Sequence, residues 1–225
     1  MKIGILITGH PPDTMTEGGL YDAYFARLLT GHGFTFEDWS VCDGVFPEDV
    51  SAADGWLITG SKHGAYEDHP WIPPLEDFIR AVHAAGKPMI GVCFGHQIIA
   101  QAMGGRVEKF AGGWVVGCTE YDMDGETIAV NAWHQDQVVE APAGARVFAS
   151  NAGCQNAGLL YGDLIWTIQP HPEYDASFID GLIRTRGKGV VPDALLAAAT
   201  DRLDQPADRP KMAEMMAAFF KKERA

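Results

Sequence analysis

Gly91-Val92-Cys93-Phe94-Gly95-His96-Gln97 is the stretch in which residue type and spacing bear most directly on chemistry. It sets a cysteine where an apolar run, Pro88 to Val92, gives way to a helical pattern over 94–103, with glycine two positions before it and two after. A G-x-C-x-G turn follows the steric logic of the G-x-S-x-G nucleophile elbow, in which small neighbours let a sharp, strained turn raise the nucleophile at the top of a sheet. A thiol at a helix N-terminus also meets the positive end of the helix dipole, which favours thiolate. Both effects mark Cys93 as a reactive thiol, against the plainer reading of a buried cysteine in a strand-turn-helix connection.

Far downstream, Gln169-Pro170-His171-Pro172-Glu173 follows a second apolar run, Leu164 to Gln169. Prolines on either side of His171 hold the chain extended, because proline fixes its own φ and drives its predecessor out of the helical region. In extended backbone, side chains two apart project to the same side, so His171 and Glu173 can lie together. A carboxylate on one imidazole nitrogen sets the tautomer and leaves the other nitrogen to take a thiol proton, the arrangement of nucleophile, base and orienter. Taken alone, the segment also fits a proline-rich turn with a solvated His and Glu.

The elements that must position these groups follow from periodicity. Lys2 to Thr8, Phe34 to Val41, Gly55 to Thr59 and Pro88 to Val92 read as strands; Leu20 to Leu29 and the segment from Pro73-Pro74 to Gly86 read as helices. This alternation predicts a parallel sheet covered on both faces. Trp114 to Tyr121, Thr127 to Val130, Arg146 to Ala149 and Leu164 to Gln169 read as strands separated by Gly, Asn and Asp, an antiparallel extension. Asp175 to Arg186, Pro192 to Leu203 and Arg209 to Lys222 read as helices, the last with Met212, Met215, Met216, Phe219 and Phe220 apolar and Lys221, Lys222 and Arg224 at the end where cations suit the dipole. No repeat or linker divides the chain.

Composition narrows the function classes. The chain has 225 residues, 47% of them hydrophobic and 21% charged, the balance of a folded domain. Seventeen Lys and Arg against thirty Asp and Glu give a net charge of −13, which repels phosphate backbones and anionic lipid, so neither nucleic acid nor a membrane surface is expected as a partner. The first apolar run is far shorter than the roughly 20 residues that span a bilayer, and a cytoplasmic protein is expected. Cys42, Cys93, Cys118 and Cys154 are scattered without a CxxC pair, which argues against a disulfide framework or structural zinc; the three other than Cys93 read as structural. No dinucleotide or phosphate-loop fingerprint is present, and no cofactor is expected.

Gly91-Val92-Cys93-Phe94-Gly95-His96-Gln97 followed by His171-Pro172-Glu173 resembles the class I (triad) glutamine amidotransferase family over most of residues 1 to 175. The order Cys, His, Glu separates it from cysteine variants of the α/β-hydrolases, whose acid precedes the histidine. The resemblance implies a flavodoxin-like fold: a central, mostly parallel sheet with helices on both faces, an antiparallel strand extension and C-terminal helices. Residues 1–187 would form the family domain and 188–225 a helical extension of it. It further implies that Cys93 attacks a γ-glutamyl amide, that His171 serves as base and then as acid for the departing amine, that Glu173 orients His171, and that water hydrolyses the γ-glutamyl thioester.

Phe94 N–H, directly after the thiol, is the oxyanion donor any elbow supplies. The other, by resemblance, comes from Gly60 or Ser61, where biosynthetic members carry Gly-Gly-Pro and this chain reads Gly60-Ser61-Lys62-His63-Gly64-Ala65-Tyr66-Glu67-Asp68-His69-Pro70-Trp71. That departure resembles a stand-alone branch of γ-glutamyl peptidase-like hydrolases. Gln97, Trp114, His134 and Gln155 fall where family members line the glutamine site. His63 and His69, with Glu67 and Asp68 between them, read as a polar active-site loop rather than a metal site. The expected substrate is glutamine or a γ-glutamyl conjugate. The alternatives are a glutaminase subunit delivering ammonia to a separate synthetase partner, and a non-catalytic binding member of the fold that docks a partner through its methionine-rich helix.

Overall fold

The computed structural model describes residues 1–12, 15 and 19–224. Four parallel pairings order the centre of the sheet: β1 (Lys2–Ile7) lies between β2 (Thr35–Ser40) and β3 (Gly55–Ile58), and β4 (Met89–Val92) lies between β3 and β11 (Ile165–Ile168). The spatial order β2-β1-β3-β4-β11 is that of a flavodoxin-like doubly wound sheet, with β11 as its fifth strand. Beyond β11 the sheet turns antiparallel through β10 (Cys154–Tyr161), β9 (Arg146–Asn151), β6 (Val115–Met123) and β7 (Glu126–His134). A separate two-stranded ladder pairs β5 (Arg106–Lys109) with β8 (Asp136–Glu140). The central strands are buried on both faces, which is why they read as continuous apolar runs.

Each face has its own core. Ile3, Ile5, Ile7, Ile90 and Val92 pack against α1 (Tyr21–Leu28) and α6 (Arg209–Lys221) through Phe25, Met212, Met216 and Phe220. Leu6, Trp56, Ile58 and Met89 pack on the other face against α2 (Ile72–Ala84) and α3 (Phe94–Ala102) through Leu75, Ile79, Phe94 and Ile98. The methionine face of α6 is therefore consumed by the core: Met212, Met216 and Phe220 are almost completely buried, each worth about 2 kcal/mol of transfer free energy. This removes the docking face that the non-catalytic alternative required.

The helix read over Asp175 to Arg186 is α4 (Ala176–Leu182), capped by Asp175, whose carboxylate accepts the Phe178 N–H; it then widens into a π-helical turn over Ile183–Gly187. The Pro192 to Leu203 segment forms α5 (Asp193–Thr200), which lies on β6 through Val116, Leu196 and Ala199. Strands β5, β8 and β10 are additions to the pattern legible in the sequence. Among the described residues no helix is long and apolar enough to cross a membrane.

Candidate active site

Cys93 occupies the turn between β4 and α3 with φ 54° and ψ −104°, a left-handed conformation that costs a residue bearing a Cβ on the order of 1–3 kcal/mol. Its surroundings over-determine the turn. The Cys93 N–H donates to the Ile168 carbonyl of β11 (2.9 Å), Gly95 N–H donates to the Thr59 carbonyl (3.1 Å), and Gln97 N–H donates to the Cys93 carbonyl (3.0 Å). Both flanking glycines are sterically required. A Cβ on Gly91 would sit 2.5 Å from the Gly95 carbonyl oxygen, and one on Gly95 would fall on the Ile58 carbonyl. The turn thus brings helix, β3 and β4 closer than any side chain would permit.

His171 leaves the carboxyl end of β11, its N–H donating to the Asn131 carbonyl of β7 at 2.7 Å. Its Nδ1 lies 2.6 Å from Glu173 Oε1, and both side chains are buried, at 2% and 1% exposure. The ring lies flat on Tyr174, centroids 4.0 Å apart and planes within 9°, and Tyr174 in turn stacks on Phe178. His171 and Cys93 meet across Gly60: a Cβ placed on Gly60 would lie 2.9 Å from His171 Cε1 and 3.7 Å from Cys93 Cβ. Burial drives the imidazole toward its neutral form, but the charges of Glu173 and Cys93 outweigh it and raise the His171 pKa above the ordinary value. A raised pKa makes His171 a strong acceptor for a thiol proton.

Two supports of this pair carry no signal in the sequence. Arg209, at the start of α6, donates from Nε to the Pro172 carbonyl (3.1 Å) and from Nη2 to the Glu173 carbonyl (3.3 Å), so the C-terminal helix braces the turn that holds the acid. Asn131 donates from Nδ2 to the Tyr174 carbonyl (3.0 Å) while its own carbonyl holds His171.

A cleft of about 360 Å³ opens onto Cys93. Among the residues singled out in the sequence, Ser61, Gln97, Trp114 and His134 border it. Gln97 is buried, and its Nε2 is committed to the Asp136 carbonyl (2.8 Å) and Gln169 Oε1 (3.1 Å), so its amide braces the cleft wall. His134 is 4% exposed, and neither ring nitrogen has a partner among the described residues; burial, then His171 and His96, push its pKa down to about 3, so its ring is neutral. Trp114 and Trp133 meet edge to face, 6.2 Å apart, as an aromatic wall. Gln155 is not brought to this cleft: it is exposed and borders a separate cavity with Gln137 and Asn156. Its place is set by β10, which packs against β8.

The cations of the cleft have no motif in the sequence. Lys62 and Arg186 both border it, in a chain whose net charge is −13. Arg186 sits in the π-helical turn after α4 and is anchored by donating to the His10 carbonyl (3.1 Å). Nothing local in the sequence marks it, because its place on the cleft depends on where the π-turn swings the chain.

Residues 48–181 match the family model described as "Glutamine amidotransferase class-I". The chain belongs to the class I glutamine amidotransferase family. Gamma-glutamyl peptidase 4 of Arabidopsis thaliana is 34% identical over 75% of this chain and 73% of its own length. A putative glutamine amidotransferase-like protein of Schizosaccharomyces pombe is 31% identical over 92% of each chain. In fold, this class I amidotransferase chain superposes on the crystal structure of a glutamine amido transferase from Methylobacillus flagellatus with a TM-score of 0.77, at 21% identity and over 100% of this chain and 97% of that one.

Proposed function

We propose that this class I glutamine amidotransferase relative hydrolyses the γ-glutamyl amide bond of glutamine or a γ-glutamyl conjugate through a thioester on Cys93. One observation carries the reading: a thiol held at positive φ on the elbow meets, across Gly60, an imidazole whose other face is fixed to a buried carboxylate. Cys93 gives its proton to His171 Nε2 as Sγ bonds to the γ-carbonyl carbon, and the carbonyl electron pair moves onto oxygen. Collapse of that oxyanion breaks the C–N bond, and His171 returns the proton to the leaving nitrogen. Water then gives a proton to His171 as its oxygen attacks the thioester, and the C–S bond breaks to restore the thiol. Glu173 Oε1 holds His171 Nδ1–H and stabilises the imidazolium in both halves.

The oxyanion is assigned to two backbone amides. Phe94 is the first residue of α3, so its N–H has no acceptor within the helix. Of Gly60 and Ser61, the second fits better. The Gly60 carbonyl accepts from Thr8 Oγ1 (3.0 Å) and Thr59 Oγ1 (3.2 Å), and in a trans peptide the N–H points opposite to the C=O, which directs Ser61 N–H away from Thr8. Ser61 borders the cleft. Lys62 and Arg186 suit carboxylates of the substrate, and the two tryptophans suit an apolar leaving group. These features and the γ-glutamyl peptidase name of the Arabidopsis relative favour a hydrolase over an ammonia-delivering subunit.

A panel of glutamine and γ-glutamyl amides, assayed under reducing conditions for released ammonia or amine, tests the reading. Release by the purified protein is expected, with Cys93→Ser inactive. No release from any member of the panel, or release only in stoichiometric complex with a copurifying synthetase, would overturn it.

A further inference from the structure

We propose that His63, Glu67 and His69 bind one divalent transition-metal ion of the zinc class at the rim of the cleft. The loop between β3 and α2 folds so that the two imidazoles approach the same carboxylate oxygen. His69 Nε2 lies 2.7 Å and His63 Nδ1 3.3 Å from Glu67 Oε2, and one ligand atom from each residue falls within 4.8 Å of the others. Tetrahedral zinc with bonds of about 2.0–2.1 Å separates its ligand atoms by about 3.3 Å. The His63–Glu67 pair already has that spacing, and the His69–Glu67 pair must open by about 0.6 Å, a small rotation of the exposed Glu67 side chain.

The rings are held as metal-ligating imidazoles need to be. His69 stacks on Trp71 at 5.7 Å and 14°, His63 meets His69 edge-on at 4.2 Å, and Trp71 is buried against Phe94 at 5.5 Å. Asp68, between the same histidines in sequence, is exposed and outside the group. In the sequence these histidines read as a polar loop rather than a metal site, with no matching ligand pair elsewhere in the chain. The structure removes that objection, since one loop supplies two imidazoles and a carboxylate and leaves coordination positions open, as in sites with three protein ligands. His63 also borders the cleft, and its N–H donates to Ser61 Oγ (3.2 Å), so an ion here would tie down the segment that carries Ser61. The proposal does not depend on the reaction assigned to Cys93.

The test is titration of Co²⁺, and of Zn²⁺ in competition, into the full chain carrying Cys93→Ser, which removes the thiol of the cleft. One saturable equivalent is expected, with visible d–d absorption and no thiolate-to-cobalt charge-transfer band. Glu67→Gln and His69→Ala should each weaken binding by at least the 10- to 100-fold, roughly, that loss of a mere supporting partner costs, and Asp68→Asn should leave it unchanged. His63→Gln, the third ligand variant, should weaken binding likewise, with thermal melts showing that each protein is folded. Absence of saturable binding, equal affinity in folded ligand variants, or a charge-transfer band placing the ion on Cys42 beside His10 and Asp43 would overturn the proposal.

Discussion

Gly60→Ala adds a single methyl group between the two residues whose meeting defines the proposed chemistry. The new Cβ would stand 2.9 Å from His171 Cε1, whereas carbon atoms rest about 3.5–4.0 Å apart, so the imidazole must retreat by roughly 0.6–1.1 Å. It has nowhere to go: Tyr174 is stacked on the ring 4.0 Å away, backed by Phe178, and Glu173 grips Nδ1 at 2.6 Å. A displacement near 1 Å in a catalytic group costs about 100-fold, so kcat/KM for a chromogenic γ-glutamyl amide should fall by about that factor, mainly through kcat. Overpacking should lower stability by only about 1–3 kcal/mol, which leaves a folded protein in thermal melts. Full activity in folded Gly60→Ala, within twofold of wild type, would refute the juxtaposition of Cys93 and His171 on which the mechanism rests.

Other expectations follow from the same structure. Arg209→Met removes the brace on the Pro172 and Glu173 carbonyls and should lower kcat about tenfold at little changed KM, because the substituted side chain touches the turn and not the cleft. Gln155→Ala should leave both kinetic constants within twofold of wild type, since Gln155 borders another cavity; a large KM effect would contradict that placement. His96 and His134 are neutral in the fold, with pKa values pushed by burial to about 3, while unfolded histidine titrates near 6.5. A depressed value means the unfolded chain binds more protons, so their contribution is complete above about pH 6.5 and is lost as pH falls toward 3, by up to about 1.4 kcal/mol per unit for each residue. His171, whose value is raised, adds no slope in that window. Urea unfolding at a series of pH values should therefore show a shallower acid loss in His134→Gln than in wild type.

The elbow was legible because its constraint is local. Gly91 and Gly95 are demanded by contacts within two strands and a helix, and a reader of G-x-C-x-G meets that demand directly. The His171–Glu173 pair was legible for the same reason, since two prolines define the backbone that joins them. Three strands were not. Arg106 to Lys109 presents one apolar residue in four, Asp136 to Glu140 lacks clean alternation, and β10 starts in a Gly and Asn cluster and carries Gly158 at a bulge, where Phe148 fills the space a side chain would need. Such strands owe their existence to partners far away in sequence, and periodicity has no access to those. Arg209 and Arg186 were hidden likewise. Each reads as an ordinary surface cation until the chain returns from a distant turn, one to hold the acid of the pair and the other to border the cleft. Gln155 failed in the opposite sense, as its position was inferred by resemblance while β10 carries it to another surface.

In the proposed reaction Cys93 forms the covalent intermediate. Rapid acid quenching of wild-type protein during turnover of a γ-glutamyl amide, followed by intact and peptide mass spectrometry, reads it directly. A γ-glutamyl adduct on the peptide containing Cys93, absent from Cys93→Ser, is the predicted result. Turnover that persists in Cys93→Ser, or an adduct that maps to Cys42, Cys118 or Cys154, would contradict it.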